Sequence, residues 1–153
     1  MADIIVKLAA LIDLEPVLAE QRAKGICIRQ GRADEQNVIA EWVREHFNNN
    51  WAMGAEVSLE QEPITCFIAY KEKQIAQTAN SQIELTPDKL LGFACYDVVT
   101  KGVLGPIGIP EEMYIAEIET ALSLVCLHAM AEQGYEFATI GWTSFINTSS
   151  SMN

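Results

Sequence analysis

Basic residues are scarce in this chain. Its 153 residues include 21 Asp and Glu but only 10 Lys and Arg, which gives a formal net charge of -11 at pH 7. A surface this acidic repels phosphate backbones, so we expect no nucleic acid partner. It would attract a cationic substrate such as an amine, although acidity alone identifies no substrate.

Long apolar runs and paired metal ligands are also absent. No apolar run reaches the ~18 residues that suggest a membrane span, and the first residues lack the basic and apolar regions of a signal peptide. We therefore expect a cytoplasmic protein with no membrane partner. The cysteines stand singly in apolar stretches, so we predict buried, reduced thiols and no metal site. They are Cys27, Cys66, Cys95 and Cys126.

Half of the residues are apolar, which is enough for one sizeable core. The length predicts a single domain, residues 1–148, followed by a short polar tail, residues 149–153. Residues 71–89 are polar and are interrupted by Asn80 and Pro87. They predict a long excursion between two strands.

Local patterns predict helices and strands in mixed order. Asp13 and Gly25 suit the two ends of a helix over residues 14–23, and apolar residues of helical period predict a second helix over 34–47. Residues 56–60 alternate in polarity, which is compatible with a strand. Further strands are predicted at 4–8, 26–30, 64–70, 90–99 and 135–141, and residues 101–109 predict a turn followed by a strand. The pattern predicts an α+β (mixed α/β) fold, a mostly antiparallel sheet flanked by helices.

The longest predicted helix covers residues 117–133 and carries one apolar stripe. Its members recur at helical spacing. They are Ile118, Ala121, Leu122, Val125 and Ala129. Gly134 is a suitable stop for this helix.

The order of elements over residues 90–141 resembles the cofactor-binding half of the GNAT superfamily of acetyl-CoA-dependent N-acyltransferases. Other segments are similar to bacterial members of the superfamily. They are residues 24–30, 41–47, 63–70, 92–97 and 105–109. The resemblance implies the GNAT fold, acetyl-CoA as cofactor, and transfer of an acetyl group to a small amine or a lysine. It also implies that strands which normally close the sheet at its C-terminal side are missing here.

By this resemblance, the pantetheine arm of acetyl-CoA lies along strand 104–109, and an Arg-x-x-Gly-x-Gly loop opening the next helix holds the pyrophosphate. In this chain Tyr114 takes the arginine position, and Glu117 and Glu119 take the glycine positions. Carboxylates repel phosphates, so we expect acetyl-CoA to bind weakly or not at all. Alternatively, the glutamates simply stabilise the helix dipole. The candidate cofactor-binding residues are Ile107, Gly108, Ile109, Tyr114, Ile115, Glu117, Glu119 and Thr120.

Further departures from the superfamily concern catalysis. Many GNAT enzymes use a tyrosine acid located after the last matched strand, whereas no tyrosine follows Tyr135 here. The glutamate base of the family has several weak candidates, so no catalytic residue is predicted. Two hypotheses remain: an acetyltransferase with weakened or lost activity, and a non-catalytic binding or assembly module derived from the same fold.

The missing strands would leave strand 135–141 at an open edge of the sheet. The strand is apolar apart from Glu136, and such an edge invites pairing with another strand. We therefore predict a homodimer paired through strand 135–141 across a two-fold axis. The alternative cover is the tail after Trp142.

Overall fold

A computed structural model describes residues 4–72 and 84–140. The strands are β1 (Ile4–Lys7), β2 (Ile26–Gln30), β3 (Cys66–Lys71), β4 (Leu90–Tyr96), β5 (Val103–Gly108) and β6 (Phe137–Ile140). The α-helices are α1 (Leu14–Ala23), α2 (Gln36–His46), α3 (Asn49–Leu59) and α4 (Ala116–Glu132). Short 3-10 turns cover Leu8–Ala10, Ala33–Glu35, Pro87–Lys89 and Glu111–Met113. None of the helices within these ranges is long and apolar enough to cross a membrane.

The six strands form one sheet in the order β1-β6-β5-β4-β3-β2. Every neighbouring pair is antiparallel except β5 and β6, which are parallel. The predicted mixed α/β fold with a mostly antiparallel sheet is therefore confirmed. The helix between β5 and β6 is α4, as a parallel connection requires.

Helices cover both faces of the sheet. On one face, α1 and α4 pack on a core that includes Leu104, Ile118 and Leu122, all fully buried. On the other face, α2 and α3 pack on a second core around Trp42 and Phe93. The apolar stripe predicted for the longest helix is the face of α4 that packs on the sheet.

The strand considered at residues 56–60 is wrong, because these residues lie in α3 and the turn that follows it. The side chain of Asn48, which the sequence marks as a stop for α2, also begins α3: its Oδ1 accepts a hydrogen bond of 2.8 Å from Trp51 N. Val57 is 48% exposed while Ser58 is fully buried. The adjacent residues Ser58 and Leu59 are both buried, as a helix allows and the alternation of a strand does not.

The predicted open edge at strand 135–141 is also wrong. β6 begins at Phe137, and β1 pairs with it from Ile4–Ile140 to Lys7–Phe137. β5 pairs with its other side, so the N-terminal strand takes the place that was expected to be vacant. This removes the reason for pairing two copies through β6. Among the described residues, β1 is the outer strand of the sheet on this side; it is only four residues long and ends in a lysine, and both features discourage pairing with another chain.

A hydrogen-bonded network joins the β4–β5 turn to the segment that precedes β6. Asp97 has a φ of +62°, and its Oδ1 accepts a hydrogen bond of 2.7 Å from Gly102 N. Tyr135 Oη donates to Asp97 Oδ2 at 2.6 Å. Beside this pair, Gln133 Nε2 donates to the hydroxyl of Tyr96. The network fixes the start of β6 against the start of β5.

We expect Tyr135→Phe to lower the free energy of unfolding by about 1.5 kcal/mol at pH 7, the lower end of the usual contribution of a hydrogen bond to a charged group. Burial and the bond to Asp97 raise the pKa of Tyr135 to about 12 from its ordinary 10. A raised folded-state pKa contributes stability below pH 10 that is lost as the pH rises through 12. Urea unfolding should therefore show the difference between the two proteins disappearing above that pH.

Tyr114→Phe is the control for Tyr135→Phe, since the Tyr114 side chain is 47% exposed and the loss of its hydroxyl should cost less than about 0.5 kcal/mol. Equal effects of the two substitutions would contradict this account.

Candidate functional site

The pairing of β5 with β6 is short within the described residues. Their parallel pairing consists of Val103 with Thr139 and Leu104 with Ile140. β5 then continues to Gly108, and within the described ranges nothing pairs with this second half on the β6 side. An extra residue in β5, between the pairs Tyr96–Leu104 and Ala94–Ile107, interrupts its register with β4 at the same point. By the resemblance to the GNAT superfamily, this second half of β5 is where the pantetheine arm is expected.

Three of the predicted cofactor-binding residues lie along this part of β5 and just beyond it, but two side chains face away from any ligand. Ile107 and Ile109 are 0% and 1% exposed and belong to the core beneath α4. Only their backbone could contact a cofactor. A Cβ on Gly108 would stand 2.7 Å from Phe47 Cζ, so glycine here permits the close packing of α2 on the sheet.

The other predicted residues lie at the start of α4. Ile115 is the N-cap residue and makes no side-chain capping bond, while Glu117 and Glu119 occupy the first turn. The structure brings two of the predicted residues together, because Tyr114 Oη donates a hydrogen bond of 2.6 Å to Glu119 Oε1. This bond raises the pKa of Tyr114 to about 12. Ile115, Glu117 and Thr120 are exposed.

The charge around this helix start is strongly negative. No Lys or Arg occurs anywhere in residues 102–153. The same stretch contains Glu111, Glu112, Glu117, Glu119, Glu132 and Glu136, and the first four lie at or just before the start of α4. The positive end of the helix dipole is therefore already compensated by carboxylates of the chain itself.

A cleft of about 490 Å³ approaches the same helix start from the side of β2 and β3. Its basic residues, Lys24 and Lys71, are matched by Glu72 and Glu112. The cleft floor includes the apolar side chains of Leu91, Met113 and Ile115. Because the charges of this cleft balance, it does not supply the positive charge that the helix start lacks.

An aromatic cluster borders the end of β5 on the α2–α3 side, and sequence reasoning missed it. Its members are Trp42, His46, Phe47, Trp51 and Phe93, with neighbouring ring centroids 4.9–6.4 Å apart. His46 Nδ1 also lies 3.9 Å from Glu112 Oε2. The available signal was the helical spacing of Trp42 and His46, which places both rings on one side of α2. No group of three or more potential metal ligands occurs in residues 4–72 or 84–140.

Comparison with known proteins supports the architecture. No protein-family model matches the sequence, and no curated protein matches it. Among solved structures, a GCN5-related glucosamine N-acetyltransferase region of a fungal multi-domain GH3 β-N-acetylglucosaminidase superposes with a TM-score of 0.62. The likeness covers 90% of this chain at 9% identity. This chain has a GNAT-like fold. It spans 17% of the fungal chain, so the likeness concerns the fold alone. A predicted acetyltransferase from Pyrococcus horikoshii gives a TM-score of 0.48 at 19% identity over 71% of this chain and 36% of its own, which is too weak to add to this.

The fold and the residues disagree about the cofactor of the GNAT enzymes. The GNAT-like fold is one that binds acetyl-CoA in general, and within the described ranges no strand pairs with residues 105–108 of β5 on the β6 side. The helix start does not suit the pyrophosphate, because it offers carboxylates in place of glycines and a tyrosine in place of arginine. Tyr114 and Glu119 are further bonded to each other across this position. The described residues at the start of α4 do not fit the pyrophosphate of acetyl-CoA.

Proposed function

We propose that this protein is a GNAT-fold protein in which acetyl transfer has been lost, and which serves as a non-catalytic binding or assembly module. The observation that carries the proposal is the acidic start of α4, where Tyr114 bonds to Glu119 and Glu117 stands in the same first turn. The chain would act in the cytoplasm, without nucleic acid or membrane partners, in keeping with its net charge of -11.

Electrostatics decides between binding and rejection of the cofactor. Two unit charges ~4 Å apart repel by about 4 kcal/mol at an effective dielectric near 20, and rotation of the side chains would lower this upper-end figure. Phosphate groups at the start of a helix are normally held by exposed backbone N–H groups. Here the glutamate side chains occupy the turn from which those groups would be reached.

A weakly active N-acetyltransferase is the second candidate, and the GNAT-like fold favours it. An acidic surface would attract an amine or lysine substrate. The described residues provide no tyrosine after Tyr135 to act as the acid. Asp97 is committed to the β4–β5 turn by its bonds to Gly102 and Tyr135, so it is a poor choice for a base. We therefore name no catalytic residue.

Titration with acetyl-CoA by calorimetry at moderate salt tests the proposal directly. We expect a dissociation constant weaker than about 1 mM, equivalent to no more than roughly 4 kcal/mol of binding. A micromolar constant would reject the non-catalytic module and favour the acetyltransferase. A known acetyl-CoA-binding protein measured in the same buffer is the control for cofactor quality.

A further inference from the structure

Two buried cysteines lie directly opposite each other at the centre of the sheet. Cys66 on β3 is the register partner of Cys95 on β4, and both are fully buried. The adjacent pair is hydrogen-bonded, since Tyr96 N donates to Thr65 O at 3.1 Å. Cys66 and Cys95 are therefore a non-hydrogen-bonded pair, the type with Cα atoms about 4.5 Å apart. Disulfides span Cα separations of roughly 4.4–6.8 Å.

The polar group next to this pair is the hydroxyl of Ser58 in α3. Ser58 Oγ donates to Ala55 O at 2.8 Å and lies 3.4 Å from Cys95 Sγ. A hydrogen bond with Cys95, together with burial, raises the pKa of the Cys66 thiol well above its ordinary value. Because the thiolate is the reactive form of cysteine, the raised pKa and burial slow the oxidation of this pair in the folded protein.

We propose that Cys66 and Cys95 form a reversible disulfide that locks β3 to β4. With hydrogen peroxide as oxidant, the two thiols together lose two protons and two electrons and one S–S bond forms. The O–O bond of the peroxide breaks and two water molecules leave. The other two cysteines have no such partner: Cys27 is opposite Tyr70, and Cys126 is buried in α4.

The Cys66–Cys95 disulfide would raise the stability of the fold and would not act on the start of α4. The bond closes a loop of about 30 residues, and a disulfide of that loop length is expected to raise Tm by about 10 °C in a chain of this size. The loop includes the polar stretch at residues 71–89, so oxidation would hold together the strands that flank it. The inference is independent of the proposed function, because it needs neither cofactor nor substrate.

A variant that keeps only this pair tests the inference. The folded double variant Cys27→Ala/Cys126→Ala is treated with hydrogen peroxide, its remaining thiols are alkylated in denaturant, and it is digested with trypsin without reduction. We expect peptide 45–71 joined to peptide 90–101, a Tm raised by about 10 °C, and reversal of both by a dithiol reductant. The matched control adds Cys95→Ala and should show no rise in Tm. Full alkylation of both thiols after peroxide treatment, or a cross-link only between chains, would overturn the proposal.

Discussion

Glu35→Ala is expected to lower the free energy of unfolding by about 3 kcal/mol, the usual result of breaking a buried ion pair. Glu35 is only 5% exposed, and its carboxylate accepts hydrogen bonds of 3.0 and 2.7 Å from the guanidinium of Arg29. It accepts a third, of 3.0 Å, from Arg32 N. The side chain thus ties β2 to the start of α2, and its removal would leave Arg29 without its main partner.

The pH dependence of this effect follows from the sign of the shift. Burial alone would raise the pKa of Glu35, but hydrogen bonds from Arg29 and Arg32 outweigh burial and lower it below the ordinary 4.5. A lowered folded-state pKa contributes stability that is present above the unfolded value and is lost as the pH falls through the folded one. Urea unfolding of both proteins should show the difference at pH 7 shrinking below pH 4.5. No loss at pH 7 would contradict the assignment.

An exposed ion pair of equal length provides the control. Glu15 Oε2 lies 2.7 Å from Arg22 Nη2, the same separation as the shorter Glu35–Arg29 bond, but the Glu15 side chain is 73% exposed. Solvent screens such a pair, so Glu15→Ala should cost less than about 0.5 kcal/mol. Because the two ion pairs have the same N–O distance, the difference between the two losses in free energy of unfolding reports the effect of burial.

Local patterns in the sequence predicted those elements in which one face is continuously apolar. The helix predicted over 117–133 is α4, Ala116–Glu132, and the strand predicted over 26–30 is β2. In both cases the periodicity of side chains matches the face that is buried. α3 was missed because Glu56 to Glu60 alternate in polarity as a strand does, whereas its helical packing buries Ser58 and small residues instead.

The partner of β6 could not be predicted from local sequence. β1 and β6 are separated by most of the chain, and their register is set by the pleated pairing of Val6 with Ala138. In GNAT proteins the neighbour of the last matched strand normally follows it in sequence, so the prediction placed the missing neighbour after β6. In this chain the neighbour is β1, from the N-terminal end of the sequence. At the candidate site, the sequence predicted the charge of the helix start. The bond between Tyr114 and Glu119 depends on the turn at Glu111–Met113 and required the structure.

Restoring the superfamily's residues at the helix start should restore cofactor affinity. We expect Tyr114→Arg/Glu117→Gly/Glu119→Gly to strengthen acetyl-CoA binding by about 100-fold or more, equivalent to roughly 2.8 kcal/mol. The variant removes two repelling carboxylates and the Tyr114–Glu119 bond, adds one cation, and lets the backbone N–H groups approach the phosphates. Calorimetry measures the gain, and thermal unfolding should show a lower Tm because each glycine in a helical turn costs about 1 kcal/mol relative to alanine.

Two control variants distinguish the effect of the residues at the start of α4 from the effects of net charge and of backbone flexibility. Val99→Arg/Glu132→Gln/Glu136→Gln changes the net charge by the same amount at the far end of α4, a helix of 17 residues and thus about 25 Å long, and it should leave affinity nearly unchanged. Glu117→Gln/Glu119→Gln removes the charges without adding glycine, and it should give only part of the gain.

If the folded triple variant binds acetyl-CoA no better than the parent chain, the carboxylates do not set the affinity, and the loss lies in the groove along β5. If the distant variant gains as much as the triple variant, long-range attraction rather than the start of α4 controls binding.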